Sequence, residues 1–302
     1  MTESTVELRM VAWNVLTGGI DNKGTERETE ERRLRQLDFL SSMDGLDMLW
    51  IMEATWWDED KGARLRGICD ATTLTALPLV TSRVGDGSNH SCMYYNAQAL
   101  KLYTPASELA RGSFHHGVCR AAFDADGIPL LVFGAHLAYS GGRARHLEAH
   151  HLADYGTQFG GWPEDGVLLM DANAPDESDP ELSDEEWKRR VPRGLWHRYR
   201  KIRDDGSFGG FDRGARRLLL ESGWRDPQAD VRQLREPTVG YWYENERVPL
   251  RLDQALVTGP RIEVVDYRTL NPKRPALKNL SDHLPIRLDI RLHRSPVART
   301  AV

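Results

Sequence analysis

Six apolar segments, spread along most of the sequence, end or begin with a polar side chain that can bind a metal ion or transfer a proton. These side chains are Asn14, Glu53, His136, Asp171 with Asn173, Asp253, and Asp282 with His283. A carboxylate at the end of a buried strand is costly unless it is paired, hydrogen-bonded or bound to a metal. We therefore expect a fold that brings these distant strand ends together at one site.

Strand-like and helical segments alternate irregularly along the chain. The apolar run over residues 6–15 predicts a buried strand, and the alternating apolar residues of LPIRLDI predict another. The Asp126-Gly127 pair between two further runs predicts a hairpin. Thr25 and Glu28 have the spacing of a capping box and predict the start of a helix. This order favours mixed sheets covered by helices over a doubly wound parallel sheet.

Composition and termini set the broad class. With 40% hydrophobic and 28% charged residues, the chain has the composition of a soluble globular protein. No linker or repeat divides it, so we expect one domain over residues 1–302. No apolar run approaches the roughly 20 residues that span a membrane, and the start leaves no room for a secretory signal. Three widely spaced cysteines predict a cytoplasmic protein without disulfides.

One segment, at about 176–216, stands out by its charge. Seven acidic residues within 176–186 precede eight lysines and arginines within 188–203, where Trp196 and Tyr199 interrupt the basic run. This insertion could form a strip that follows a phosphate backbone and stacks on bases. It could equally be a solvated helical insertion whose cations pair with the acidic block. The cations that we single out for the strip are Arg198, Arg200 and Lys201.

The residue types at the strand ends agree with one chemistry. Oxygen donors suit Mg²⁺ or Mn²⁺, whereas the histidines and cysteines lack zinc spacing. Asp171 and Asn173 are two apart, so on an extended chain they point to the same side and could hold one water. A histidine beside a carboxylate can stabilise negative charge on a phosphorus-bound oxygen. Taken singly, each residue also has a structural explanation; Asp253, for example, could pair with Arg251, and a D-x-N pair is often a turn.

The order of these motifs, WN, E, HL, DxN, RLD and SDHLP, resembles that of the endonuclease/exonuclease/phosphatase superfamily over nearly the whole chain. The resemblance implies a four-layer α/β sandwich, that is, two mixed β-sheets packed face to face with helices on both outer faces. The chain departs from the family pattern at Ala135, before His136, and at Gln254, where an aromatic residue is common. It also reads MDANAP where G-D-F-N is usual.

The resemblance also implies roles for individual residues. Glu53 would be the principal Mg²⁺ ligand, with Asn14 close by and Asp282 as the second acidic position at the metal. Asp171 and Asn173 would activate and position the attacking water. Residues that would act at the phosphate are His136, and His283 with Asp253 as its carboxylate partner. Arg120, on a neighbouring strand, could clamp a phosphate or form a structural ion pair.

We therefore predict a divalent-metal-dependent phosphodiesterase that uses water as the nucleophile, with DNA as the leading substrate. The net charge of −5 does not exclude nucleic acid, because a local basic patch can steer binding. Two alternatives remain at this point. One is a phosphatase or phosphodiesterase for a small molecule, an inositol phosphate or a lipid; the other is an inactive binding module on the same scaffold.

Overall fold

The computed structural model describes residues 5–82, 88–232, 234–244, 247–270 and 275–297. The strands are β1 (Val6–Asn14), β2 (Met48–Met52), β3 (Thr75–Ala76), β4 (Cys92–Tyr95), β5 (Lys101–Leu102), β6 (Ser107–Glu108), β7 (Val118–Ala125), β8 (Ile128–His136), β9 (Gly166–Asp171), β10 (Arg200–Ile202), β11 (Phe208–Phe211), β12 (Asp253–Thr258), β13 (Ile262–Thr269) and β14 (Ile286–Leu292). The helices are α1 (Glu31–Ser41), α2 (Ala63–Thr72), α3 (Gly142–Ala153), α4 (Asp184–Arg190), α5 (Trp196–Tyr199) and α6 (Gly214–Glu221). Short 3-10 turns cover Thr17–Gly19, Asp60–Gly62, Asp154–Gly156, Arg193–Leu195, Pro227–Ala229 and Pro275–Leu277.

The larger strands form two mixed sheets. The first has the order β13-β14-β1-β2-β4-β3, and the second has the order β12-β9-β8-β7-β5, with β6 also paired to β7. In each sheet one pair is parallel, β1 with β2 and β8 with β9, and the other pairs are antiparallel. Helix α1 connects the first parallel pair and α3 the second, as parallel neighbours require a crossover. The two parallel strands of each sheet point in the same direction, so their polar C-terminal ends lie at the same edge of that sheet. This holds for β1 and β2 in the first sheet and for β8 and β9 in the second.

The two sheets pack face to face, and helices cover their outer faces. Side chains of both sheets, such as Met10, Trp50 and Phe123, share one buried cluster between the layers. Phe39 of α1 packs on the outer face of the first sheet, and Leu219 of α6 packs on that of the second. The four-layer sandwich that we predicted is thus confirmed. The predicted hairpin is also present, because β7 and β8 pair and both residues of the Asp126-Gly127 turn have positive φ.

One local prediction was wrong, and one of the two alternatives for the insertion does not hold as stated. Helix α1 begins at Glu31, and the Thr25 and Glu28 side chains instead bond within the preceding turn, to the Asn22 carbonyl and the Gly24 amide. In the insertion, the aromatic residues are not a stacking surface. Trp187, Trp196, Tyr199 and Phe211 are buried together in a small core of their own, which also takes in residues of the 239–252 segment.

Within the described ranges, no helix combines the length and the apolar character needed to cross a membrane.

Candidate active site

The polar strand ends meet at one edge of the sandwich. Asn14 and His136 are the last residues of β1 and β8, Asp171 is the last of β9, and Glu53 directly follows β2. Asp171 lies beside His136 in the parallel register of β8 with β9, and opposite Asp253 in the antiparallel register of β9 with β12. Sheet pairing alone therefore fixes three of these residues as neighbours.

Two contacts across the sheet interface bring the first sheet to this edge. The Trp50 indole of β2 donates to the Ala135 carbonyl of β8 at 3.1 Å and lies against Gly134. A Cβ at Gly134 would come within 2.3 Å of that indole ring, so the close approach requires glycine. The Asp171 amide also contacts the Met52 sulfur at 3.1 Å. The ends of β2, β8 and β9 are thereby held together.

Asn14 joins carboxylates that come from the two different sheets. Its Nδ2 donates to Glu53 Oε1 and to Asp171 Oδ2, each at 3.2 Å. The second Glu53 oxygen, Oε2, accepts from the Thr17 amide at 2.9 Å. Glu53 itself has a positive φ of 55°, an uncommon conformation for a non-glycine residue and one that recurs at functional sites.

Asp171 and Asn173 form a turn instead of the extended pair that we expected. The Asn173 amide donates to Asp171 Oδ1 at 2.8 Å, and Asn173 has a φ of 47°. The Asn173 side chain then donates to the Leu137 carbonyl at 2.9 Å. This leaves Asp171 Oδ2 facing Asn14 and His136, whose Nε2 is 3.4 Å away.

His283 completes the cluster. Its Nδ1 lies 2.7 Å from Asp253 Oδ2 and 3.9 Å from Asp171 Oδ2. Burial opposes the charged form of His283, but the negative charges of Asp253, Asp171 and Asp282 outweigh it and raise its pKa well above the usual value. We therefore expect an imidazolium ion at neutral pH.

The donor set of this edge fits a divalent metal ion. Asp171, Asp253 and His283 each have a potential ligand atom within 4.8 Å of the others. An imidazolium cannot coordinate a metal, so the donors among the three are the two carboxylates, and Asp253 Oδ1 is buried with no hydrogen-bond partner among the described residues. Glu53 adds a partly buried carboxylate on the other side of Asn14. Asp282 is reached through Ser281, whose hydroxyl donates to the Asn14 carbonyl at 2.7 Å and lies 3.2 Å from Asp282 Oδ1.

Solved structures share this fold at low sequence identity. No protein-family model matches the sequence, and no curated protein matches it. The endonuclease/exonuclease/phosphatase from Bacteroides vulgatus is 14% identical with a TM-score of 0.65, covering 95% of this chain and all of the other. The chain has the endonuclease/exonuclease/phosphatase fold.

Two further structures with the endonuclease/exonuclease/phosphatase fold contain ligands. D. rerio TDP2, solved with a single-strand DNA product, is 13% identical with a TM-score of 0.58, covering 94% of this chain and 98% of that one. The inositol polyphosphate 5-phosphatase domain of SPsynaptojanin was solved with inositol (1,4)-bisphosphate and calcium. It is 14% identical with a TM-score of 0.54, covering 96% of this chain and 85% of that one.

Arg120 lies outside the cluster at this edge of the endonuclease/exonuclease/phosphatase fold. Its guanidinium donates to the Ser107 hydroxyl and, at 2.6 Å, to the Tyr155 hydroxyl, and it stacks 4.0 Å from the Trp162 ring centre. These partners belong to the helix-covered face of the second sheet. These contacts of Arg120 are structural, but they are made with hydroxyl groups and aromatic rings and not through the ion pair that the sequence left open.

The three cations of the predicted strip have separate environments. Arg200 is buried among Trp187, Trp196 and Phe208, and its guanidinium donates to Asp184 at 3.1 Å. Arg200 is therefore a structural cation and not part of a surface strip. Lys201 is exposed, and Arg198 is half-buried against the ring of Tyr139.

Two supporting residues could not be recognised from the sequence. The Thr238 hydroxyl accepts from the amides of Leu252 and Asp253, at 3.1 and 3.0 Å, and so fixes the start of β12. Buried Arg32 of α1 donates to the carbonyls of Val15, Leu16 and Leu280, which ties the Glu53 side of the site to the segment before Asp282. Neither residue carries a local signal, because its partners are far away in the sequence.

Proposed function

We propose that this protein is a divalent-metal-dependent phosphoester hydrolase, and specifically a phosphodiesterase that uses water as the nucleophile. The observation that carries the proposal is the joining of Glu53, Asn14 and Asp171 across the two sheets, beside the paired Asp253 and His283. Carboxylates, an amide and a charged histidine at one strand edge are what hydrolysis of a phosphoester requires.

The metal would be Mg²⁺ or Mn²⁺, held by Glu53 with Asn14 and Asp282 nearby. An oxygen-rich donor set favours these ions over zinc. When bound, the ion would neutralise charge on the phosphate oxygens. The synaptojanin structure, which contains calcium, supports a divalent cation in this fold.

The protein's own groups divide the remaining work. Asp171 would act as the general base on a water molecule that the Asn173 side chain helps to position, since Asp171 Oδ2 is the oxygen free of the turn. His283 would donate a hydrogen bond from its imidazolium to a phosphate oxygen, because Asp253 holds its Nδ1 at 2.7 Å. His136, which is 3.4 Å from Asp171, would contact the same phosphate group.

Among substrates, we place a nucleic acid strand first, with DNA as the form to test. The insertion still carries exposed cations, including Lys188, Arg189, Lys201 and Arg203, although its aromatic residues are buried. The TDP2 structure with a DNA product supports this choice. A small-molecule phosphoester is the second candidate, supported by the synaptojanin structure with inositol bisphosphate. We further propose a reducing, cytoplasmic setting, since Cys92 and Cys119 are buried free thiols.

Hydrolysis of bis-p-nitrophenyl phosphate with Mg²⁺ or Mn²⁺ tests the reaction. Asp171→Asn, Glu53→Gln and His283→Gln should each lower kcat by about 10²–10⁴-fold, because each removes a group that acts in the transition state. Asp70→Asn removes an exposed carboxylate of α2 and should leave kcat unchanged. Full activity in excess EDTA would contradict the metal requirement. No hydrolysis by the wild type above the rate without protein would instead favour the inactive binding module, whereas equal activity of the Asp171 variant and the wild type would contradict the role of Asp171 as general base.

A substrate panel then separates the candidates. Single-stranded DNA, duplex DNA, inositol bisphosphate and p-nitrophenyl phosphate are compared with wild type and Asp171→Asn in parallel. Asp171-dependent cleavage of either DNA form supports the nucleic-acid assignment. Asp171-dependent release of phosphate from the monoesters alone moves the assignment to a small-molecule phosphatase.

A further inference from the structure

Two buried side chains of helix α3 hydrogen-bond to the backbone of three segments at the rim of the site, around residues 115, 138 and 198. The Glu148 carboxylate accepts from the amides of His115 and Ala138, at 2.6 and 2.7 Å. The Arg145 guanidinium donates to the Ala138 carbonyl at 3.2 Å and to the Arg198 carbonyl at 2.7 Å. Arg145 is 1% exposed and Glu148 is 3% exposed, so both ties are shielded from water. The rim beside His136 is therefore preorganised, and the insertion is part of it.

This rim presents an unusual pair, Tyr139 and Arg198. Tyr139 comes three residues after His136 and is 41% exposed. The Arg198 guanidinium carbon lies 4.9 Å from the centre of its ring. Across the described residues no side chain or carbonyl accepts a hydrogen bond from the Arg198 guanidinium, and its Nε is buried without a partner. A half-buried guanidinium that stacks on an aromatic ring but bonds to nothing has unused donors for an anion.

Ring contacts connect this pair to the catalytic cluster. His116 stacks on His136 with ring centres 4.1 Å apart and planes 15° apart. The Tyr139 ring lies 6.2 Å from His116 and 5.1 Å from His115. The ring of His116 thus lies between the Tyr139–Arg198 pair and His136, which would contact the scissile phosphate.

Space for a longer substrate continues from this pair. A groove of about 890 Å³ begins at Ser140 and Gly141, directly after Tyr139, and runs along the start of α3 to His197, directly before Arg198. The groove therefore lies between α3 and the insertion, and chain neighbours of both Tyr139 and Arg198 line it.

We propose that Tyr139 and Arg198 form a second phosphate subsite, which binds the phosphate group next to the one that is hydrolysed. The inference rests on the proposed function and adds to it the requirement for a substrate with two neighbouring phosphates. Arg198 would donate to the phosphate oxygens through its planar fork, and Tyr139 would hold the plane of the guanidinium in place. A nucleic acid strand and a small bisphosphate share this chemistry, so the test has one arm for each source.

A matched pair of chromogenic esters measures the subsite. One is the p-nitrophenyl ester of thymidine 5′-phosphate, and the other carries an additional 3′-phosphate. Wild type should have a kcat/KM about 10- to 100-fold higher for the doubly phosphorylated ester, the range of one or two charge-assisted hydrogen bonds. Arg198→Gln should abolish this preference while keeping activity on the singly phosphorylated ester. Lys101→Gln, which changes an exposed cation of β5 outside the insertion, should retain the preference.

Further variants and probes identify the source and separate the two proposals. Tyr139→Phe should keep the preference and Tyr139→Ala should weaken it. Preference for inositol 1,4-bisphosphate over inositol 1-phosphate, lost in Arg198→Gln, identifies a small bisphosphate, whereas preference in the nucleotide pair identifies a nucleic acid. Calorimetry of thymidine 3′,5′-bisphosphate against thymidine 5′-phosphate gives the same comparison without catalysis.

Two results would overturn the subsite. One is a wild type that neither turns over nor binds the doubly phosphorylated compounds in preference to the singly phosphorylated ones. The other is an Arg198→Gln variant that loses activity equally on both esters. Failure of the proposed function looks different, because wild type would then hydrolyse no phosphoester with any metal while the calorimetric preference could persist.

Discussion

Glu148→Gln tests how a buried carboxylate of α3 supports the rim of the site. Burial raises the pKa of Glu148 to about 7 from its usual 4.5, against the two backbone amides that bond its charged form. A raised acid pKa means that the folded state binds more protons than the unfolded state between these two values. The contribution of Glu148 to stability is therefore lost as the pH rises from about 4.5 to about 7.

The magnitude follows from the two pKa values. Their difference of about 2.5 corresponds to about 3.4 kcal/mol at 1.36 kcal/mol per pH unit, of which about 2.5 kcal/mol falls between pH 5 and pH 8. Glutamine cannot ionise, but it can accept from only one of the two amides, which leaves the other unpaired at a cost of about 1–3 kcal/mol. The variant should thus be less stable than wild type at about pH 5, and the gap should shrink by about 2.5 kcal/mol at about pH 8.

Urea unfolding of both proteins at the two pH values, followed by tryptophan fluorescence, measures this gap. Glu221→Gln is the matched control, because Glu221 ends α6 with an exposed side chain and its replacement should change stability by less than about 0.5 kcal/mol at either pH. The reasoning is refuted if the gap between wild type and Glu148→Gln stays constant or widens as the pH rises.

Three further predictions concern residues away from the reacting groups. Thr238→Val should lower the free energy of unfolding by about 1–3 kcal/mol and also reduce kcat, because it removes the hydrogen-bond acceptor of two buried amides at the start of β12. Thr238→Ser should keep both quantities near their wild-type values. Urea unfolding and steady-state kinetics measure the two effects. Arg200→Leu should cost about 1–3 kcal/mol by the same unfolding assay, whereas Lys201→Leu should change stability by less than about 0.5 kcal/mol. A thiol reagent should label only Cys69 in the native protein, since Cys92 and Cys119 are buried and Cys69 is half-buried; labelling of all three before unfolding would contradict this.

The strand ends could be predicted from the sequence because their signal is local. An apolar run that stops at Asn14 or Asp171 can be recognised without knowing which residues it contacts. Because a buried polar side chain is costly unless it is hydrogen-bonded, paired or bound to a metal, such partners can be expected. The alternation of Ile286, Leu288 and Ile290 likewise needs no long-range information, and in β14 these residues are buried with half-buried neighbours between them. The strands could therefore be predicted from single segments and the mixed sheets from their order, whereas the four-layer arrangement came from the resemblance to a known family.

The insertion shows where such patterns fail. Basic residues interleaved with tryptophans look the same whether the aromatic rings face a nucleic acid or pack in a core. The decision comes from Val239, Val248 and Leu250, which lie some distance along the chain and bury Trp187 and Trp196. Only tertiary packing could show that Arg200 is enclosed by aromatic rings.

The start of α1 failed for a different reason. Threonine and glutamate at capping-box spacing can also satisfy a turn, because both side chains hydrogen-bond to nearby backbone. Here Thr25 and Glu28 bond within the turn that precedes the helix, and α1 starts three residues after Glu28. The local sequence was compatible with a helix cap or with a turn. The turn formed, together with an antiparallel bridge between Asp21 and Thr29.

Asn14 explains why this site depends on the whole sandwich. Its amide bonds one carboxylate from the first sheet and one from the second, so a small shift between the sheets would break one of the two bonds. The Trp50 indole bond to the Ala135 carbonyl crosses the same interface close to the site, and the glycine at position 134 allows that approach. The carboxylates of Glu53 and Asp171 repel each other when charged. The Asn14 amide lies between them, and the packing of the two sheets keeps them at this distance. A metal ion bound there would have oxygen ligands whose positions the two sheets already fix. Packing between the sheets, away from the substrate, can therefore affect the rate of phosphoester hydrolysis.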